Sequence, residues 1–276
     1  MKMWYLYLFV LVIQLALSSA NHTLCRPDLC INSEVHVGCF HHKQLAHKCG
    51  NGNLVLHVNG ALKLGILDRI NTLRNFVASG AGNYAVAARM PTMRWDYTLQ
   101  KLADRQVRQC DENGKYCANT DSYHYVATTE IRSTMSRYSK LEHEILDKLL
   151  PEMFLDVQIL PTNESACVGH FVPLIQDRGA RMGCAVRLKN RSKSKSNVIL
   201  LCHFSRANVN ELPAYELGTH PGEKCVTGSS QMYKYLCNVE EKVDANSMVV
   251  DTMMPLSTKG EKKDTDGSVE LMMERK

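Results

Sequence analysis

Three stretches of this 276-residue chain gather side chains that can do chemistry. Cys39, His41, His42, His47 and Cys49 stand at the spacing by which thiolates and imidazoles hold a metal ion. Farther on, Cys167 precedes His170, a thiol and a base of the kind that makes an activated nucleophile. On one strand an offset of three turns these two to opposite faces, whereas in a loop their geometry is unconstrained. The third stretch is cationic: Arg187, Lys189, Arg191, Lys193 and Lys195 alternate with other residues. An extended chain spreads such charges as a fan able to grip sulfated glycans or anionic membranes. The competing reading is a solvated hairpin tip whose charge prevents edge pairing, and a glycan on Asn190 would weaken the first reading further. The chain has no Gly-rich phosphate loop and no Gly-x-Ser-x-Gly turn.

What the cysteines do depends on compartment. Lys2, an apolar run from Trp4 to Leu17, and Ser18-Ser19-Ala20 have the build of a signal peptide over residues 1–20. The run is short for a bilayer core of about 30 Å. A chain exported through an oxidising compartment uses cysteine for disulfides rather than for zinc or redox chemistry. On that reading the 11 cysteines form a disulfide framework, and His41, His42 and His47 are exposed loop residues. A thiolate at Cys167 would have to survive the same compartment. Sequons at Asn21, Asn163 and Asn190 suit a secreted glycoprotein surface. The polar C-terminus lacks the tail of a lipid-anchored protein, and a formal charge of +5 is too mild to imply nucleic acid.

The elements that must position these residues follow from periodicity. Residues 21–60 are rich in Cys and His, show little period, and are expected to wrap a main domain. From Leu64 the spacing of Leu67, Ile70, Leu73 and Val77 predicts a helix, ended by Gly80-Ala81-Gly82. Asp96 is placed to cap a second helix with Leu99, Leu102, Ala103, Val107 and Cys110 on one face. Ser139-x-x-Glu142 reads as a capping box opening a third, apolar at Leu141, Ile145 and Leu149, which Pro151 should stop or kink. The pattern then turns to strands: one beginning at 169–172, then Met182–Leu188 and Val198–Phe204, with Lys189–Ser196 as a long hairpin loop. Helices followed by strands argue for an α+β or layered α–β–α domain. Beyond Asn238 the chain is polar and a disordered tail is expected.

Five strings in one order carry a resemblance. They are Asn71-Thr72-Leu73-Arg74, Met93-Arg94-Trp95-Asp96-x-x-Leu99, Gly169-His170-Phe171, Met182-Gly183-Cys184-Ala185-Val186, and Leu200 through Arg206. Together they resemble the CAP superfamily of cysteine-rich secretory, antigen 5 and pathogenesis-related proteins, most of all its insect antigen 5-related branch, over about residues 25–240. The resemblance implies an α–β–α sandwich stapled by disulfides. Carried over by position, it pairs Cys25 with Cys39, Cys30 with Cys117, Cys49 with Cys110, Cys184 with Cys202 and Cys225 with Cys237, leaving Cys167 unpaired. It also implies a cleft where two His and two acidic residues hold a divalent metal. Here Ile70, Thr128, Glu152 and His170 fall on those positions, so the cleft is expected to be vestigial, without metal or other cofactor. Restoring it should take Ile70→His together with Thr128→Glu.

The expected organisation is therefore a signal peptide (1–20), a Cys-rich extension (21–60), a CAP domain (61–215), a small disulfide loop (216–238) and a disordered tail (239–276). The expected function is that of a secreted, non-enzymatic, monomeric binding or signalling module, with an extracellular protein, glycan or lipid as partner. The alternatives are a metal-assisted hydrolase and a lipid or sterol carrier using the cleft.

Overall fold

The computed structural model describes residues 24–31, 33–158, 172–208 and 213–248. The expected signal peptide, Asn21, Asn163, Cys167, His170 and most of the polar tail lie outside them. At the centre, β6 (Arg181–Asn190) and β7 (Lys195–Phe204) form an antiparallel hairpin in which Cys184 faces Cys202. β5 (Ala127–Ser136) pairs with the far side of β7. On the free side of β6 lie β2 (Asn53–Leu56), antiparallel, and β3 (Arg94–Trp95), parallel. A separate parallel pair joins β1 (Val35–His36) to β4 (Tyr116–Cys117).

Alternation decides what each face of the sheet carries. Cys184, Val186, Val198, Leu200, Cys202 and Phe204 join the main core with α1 (Gly60–Ala78), through Leu62, Ile66, Ile70, Leu73 and Val77. Ala185, Ile199 and Leu201 pack on the other face against Ala103 and Val107 of α2 (Tyr97–Val107). Helix, sheet and helix thus make the three layers of an α–β–α sandwich. With both faces covered, β6 and β7 read as nearly continuous apolar runs.

Local chemistry sets the helix ends. Asn59 Oδ1 accepts from the Leu62 amide at 2.8 Å, so α1 starts one turn before the apolar period at Leu64. Asp96 Oδ1 accepts from the amides of Thr98 (2.8 Å) and Leu99 (3.0 Å), the expected cap of α2. α2 ends at Val107, so Cys110 is not on its face; it sits at φ +52° and bridges to Cys49. At Gly183 any Cβ would overlap the Gln100 amide and the Asp96 carbonyl, so α2 rests directly on the strand backbone there.

The third helix departs from expectation twice. Ser139 does not cap it; the cap position is Lys140, with no side-chain bond. Nor does Pro151 stop it. α3 (Leu141–Glu144) runs into a π-turn (Ile145–Leu149), where the Leu150 amide reaches back to the Ile145 carbonyl, and then into α4 (Leu150–Gln158). The widened turn gives the proline ring room that a regular turn would deny it.

Five disulfides join Cys25–Cys39, Cys30–Cys117, Cys49–Cys110, Cys184–Cys202 and Cys225–Cys237, the pairs the resemblance implies. Three boundaries move. The stretch 21–60 is more than a wrapping, because Asn53–Leu56 pairs with β6 and extends the sheet as β2. Val172 and Pro173 open a 3-10 turn, Val172–Ile175, instead of continuing a strand, since Pro173 has no amide to donate. Residues 239–248 are packed rather than disordered: Glu241 is buried, accepts from Arg89 Nε at 2.7 Å and takes both amides of Val226 and Thr227.

Candidate functional site

The α1 face holds Ile70, the first of the implied cleft positions, and its geometry is that of a packed interior. Ile70 is fully buried among core residues of α1 and the sheet. Its neighbours in the Asn71–Arg74 string are structural. The Asn71 side chain donates to the Met93 carbonyl (3.1 Å) and accepts from the Met93 amide (2.7 Å). Arg74, fully buried, donates to the carbonyls of Pro91 (3.2 and 2.8 Å), Leu174 (2.8 Å) and Gln176 (3.1 Å). Burial lowers its pKa to about 9, against the favourable charge of Asp177.

Thr128 does not join Ile70. It pairs with His203, and Ala127 and Thr129 flank it on the core side, so its side chain lies on the α2 face. Thr129 is the β5 residue that turns toward α1; it is buried, and its Oγ1 has no hydrogen-bond partner among the described residues. Glu152 is exposed on α4. His170 is outside the described residues. Of the four implied cleft positions, the described three are thus not brought together.

The α2 face is different in kind. Between Leu56, which pairs with Val186, and Trp95, which pairs with Met182, the edge of β6 at residues 183–185 has neither β2 nor β3 beside it. A cavity of about 720 Å³ opens at this gap, walled by Leu24, Leu56, Val58 and the cationic residues Lys101 and Arg105 of α2 and Arg108 at its C-cap. Deeper on the same face, His203 is buried with Nε2 at 2.8 Å from Gln106 Oε1, and burial pushes its pKa down to about 3. The α2 cations went unread in the sequence, although their i, i+4, i+7 spacing on an amphipathic helix was the available signal.

The cationic hairpin is shorter than expected, a loop of residues 191–194 between paired strand ends. Lys189, Arg191, Lys193 and Lys195 are exposed, as is Asn190. Arg187 is not part of the fan. It is buried on the α2 face, donates to Asn53 Oδ1 at 2.7 Å, and its pKa is lowered by burial.

The metal-like histidines come to nothing as ligands. Cys39 and Cys49 are in separate disulfides, and exposed His41 and His42 stack on each other. Cys30, His36 and Cys117 do lie within 4.8 Å of one another, but both sulfurs are spent in one bridge. His36 itself is committed: Nδ1 accepts from the amides of Arg26 and Gly38, and Nε2 meets the Asn119 carbonyl at 2.7 Å. Burial holds its pKa below the usual imidazole range.

Comparison with known proteins agrees with this fold. The family model for CAP, the cysteine-rich secretory protein family, matches residues 67–204. Venom allergen-1 of Aedes albopictus is 27% identical over 240 residues, 84% of this chain and 93% of the relative. Tabinhibitin 2 of Tabanus yao is 28% identical over 248 residues, 87% of this chain and 95% of the relative. Among solved structures, Na-ASP-1 aligns with a TM-score of 0.54 at 16% identity, covering 71% of this chain and 50% of its own. NaASP2 with Zn2+ aligns with a TM-score of 0.50 at 20% identity, covering 68% and 98%. Both likenesses are of fold.

Proposed function

From the premise that this chain belongs to the CAP family of cysteine-rich secretory proteins, we propose that it is a secreted, non-enzymatic, monomeric binding module acting on an extracellular protein. The observation that carries this reading is the dispersal of the cleft. Ile70 is core, Thr128 is across the sheet and Glu152 is exposed, so the donor set a catalytic zinc site requires is not assembled from them. Two relatives bear the names of an allergen and an inhibitor rather than of an enzyme, which supports the same reading. The exposed hairpin cations, beside the sequon at Asn190, are the proposed contact for an anionic partner. Export through residues 1–20 would account for five disulfides in a chain of this size.

Zinc calorimetry near neutral pH tests the cleft. No stoichiometric binding is expected for the unmodified protein. None is expected for Ile70→His/Thr128→Glu either, because the two positions lie on opposite faces of the sheet; this replaces the restoration anticipated from sequence. Tight zinc binding by the unmodified protein, abolished by His170→Ala, would overturn the reading.

A further inference from the structure

We propose that the outer edge of β5 takes an extended peptide segment of a partner protein as one more antiparallel strand, with acidic residues where the peptide meets the cationic hairpin. The proposal rests on the reading of a protein-binding module and names the form its partner takes.

The direction of the backbone groups follows from parity. Just before β5 the Tyr125 carbonyl accepts from the Ala207 amide at 2.6 Å, and just after it the Arg137 amide donates to the Ser194 carbonyl at 3.0 Å. Both residues address the β7 side, and along a strand the amide and carbonyl of successive residues alternate between its two edges. Odd-numbered positions of β5 therefore face β7, while Thr128, Glu130, Arg132 and Thr134 direct their amides and carbonyls outward. Those backbone groups have no hydrogen-bond partner among the described residues.

The two edges of the sheet are guarded differently. At the opposite edge β2 spans only Asn53–Leu56, and β3 takes a further stretch of β6. β5 presents ten residues, Ala127–Ser136, without a proline, glycine or lysine. Its two charges do not guard it, because Arg132 is paired with Glu130 and with Glu112. A long unpaired edge of this kind is a template for another strand.

Charge selects the occupant. Exposed Arg137 and Lys140 follow β5, and Lys195 stands opposite Ser136, so the strand runs into the cationic hairpin. Arg137, Lys140, Lys193 and Lys195 have no ion pair among the described residues. An added strand reaching this end meets uncompensated positive charge. An acidic peptide answers it, and a second copy of this chain, itself at +5, does not. On the core side of the strand Ile131 is only partly buried against the main core, so alternate residues of the peptide should be apolar.

The test uses the mature protein with its disulfides intact and the peptide EEVTVTVTV, capped at its N-terminus and carrying fluorescein at its C-terminus. Antiparallel pairing with the glutamates beside the hairpin sets its threonines opposite Thr134, Arg132 and Glu130, where they exchange hydrogen bonds, and turns its valine amides away. Saturable binding is expected in fluorescence polarisation. N-methylation of the valines should leave it intact, and N-methylation of the threonines should weaken it at least tenfold. Lysines in place of the glutamates should weaken it about tenfold at low salt and less at physiological salt. Thr134→Pro removes an outward amide without touching the β7 ladder and should weaken the peptide at least tenfold. Should that variant fail to fold, the two methylated peptides on the unmodified protein remain decisive. No saturable binding, or equal binding by the two methylated peptides, would overturn the proposal. So would a sedimenting dimer that excludes the peptide, which would give the edge to a second copy. A protein that binds neither zinc nor peptide would sink the added strand and leave the binding-module reading standing.

Discussion

The two faces of one sheet have been put to opposite uses. Toward α1 the strands meet Ile66, Ile70, Leu73 and Val77; Asn71 and Arg74 enter with them and are spent on backbone atoms, and Thr129 Oγ1 is left without a partner among the described residues. Toward α2 the apolar contact is small, and the face carries a cavity, a cationic helix surface and buried Arg187 and His203 with incomplete partners. Filling and satisfying a face makes it stable. Leaving one hollow and charged makes it available, and here Thr128 falls on the hollow face while Ile70 falls on the filled one.

The largest expected effect breaks the satisfied face. Arg74→Met strands the carbonyls of Pro91, Leu174 and Gln176 in the interior, and each buried acceptor left unpaired costs about 1–3 kcal/mol. A loss of about 3 kcal/mol or more is expected in urea unfolding under non-reducing conditions. A loss below about 1 kcal/mol would mean that Arg74 does not tie those segments to α1.

A smaller effect belongs to the α2 face and depends on pH. His203 is held neutral, its pKa near 3 in the folded chain against about 6.5 when unfolded. Below about 6.5 the unfolded chain takes up a proton that the folded chain refuses. Stability present above that pH is therefore lost on the way down to about 3, at about 1.4 kcal/mol per pH unit. Between pH 7.5 and 5.5 the unfolding free energy should fall by about 1 kcal/mol or more, and His203→Phe should reduce the slope. His36 acts in the same direction, so the slope should diminish without vanishing. A variant with the slope of the unmodified protein would place the titrating group elsewhere.

The smallest effect separates buried from exposed cations. Replacing Lys189, Arg191, Lys193 and Lys195 by Ser should bring elution from heparin to lower salt, since exposed charges are screened beyond about 8 Å at physiological ionic strength. Arg187→Ser alone should elute with the unmodified protein and unfold more easily, having lost its bond to Asn53. Coincident elution of the four-residue variant would reduce the hairpin to a solvated tip.

What could be read along the chain was what the chain decides within a few residues. The period of α1, the Asp96 cap and the apolar runs of β6 and β7 are local, and so was the layered α+β class that follows from their order. The disulfide pairs, 12 to 87 residues apart, came from a resemblance and not from any local rule. Tertiary structure decided the rest. Whether Thr128 or Thr129 turns toward α1 is a matter of strand parity, and parity is fixed by pairing with Phe204 and Cys202 far along the chain. Pro151 stays within a helix because a π-turn opens before it. The cavity exists because two short strands, β2 and β3, each pair with β6 and stop before they meet. A gap between partners is a property of three strands at once, which no segment read alone contains.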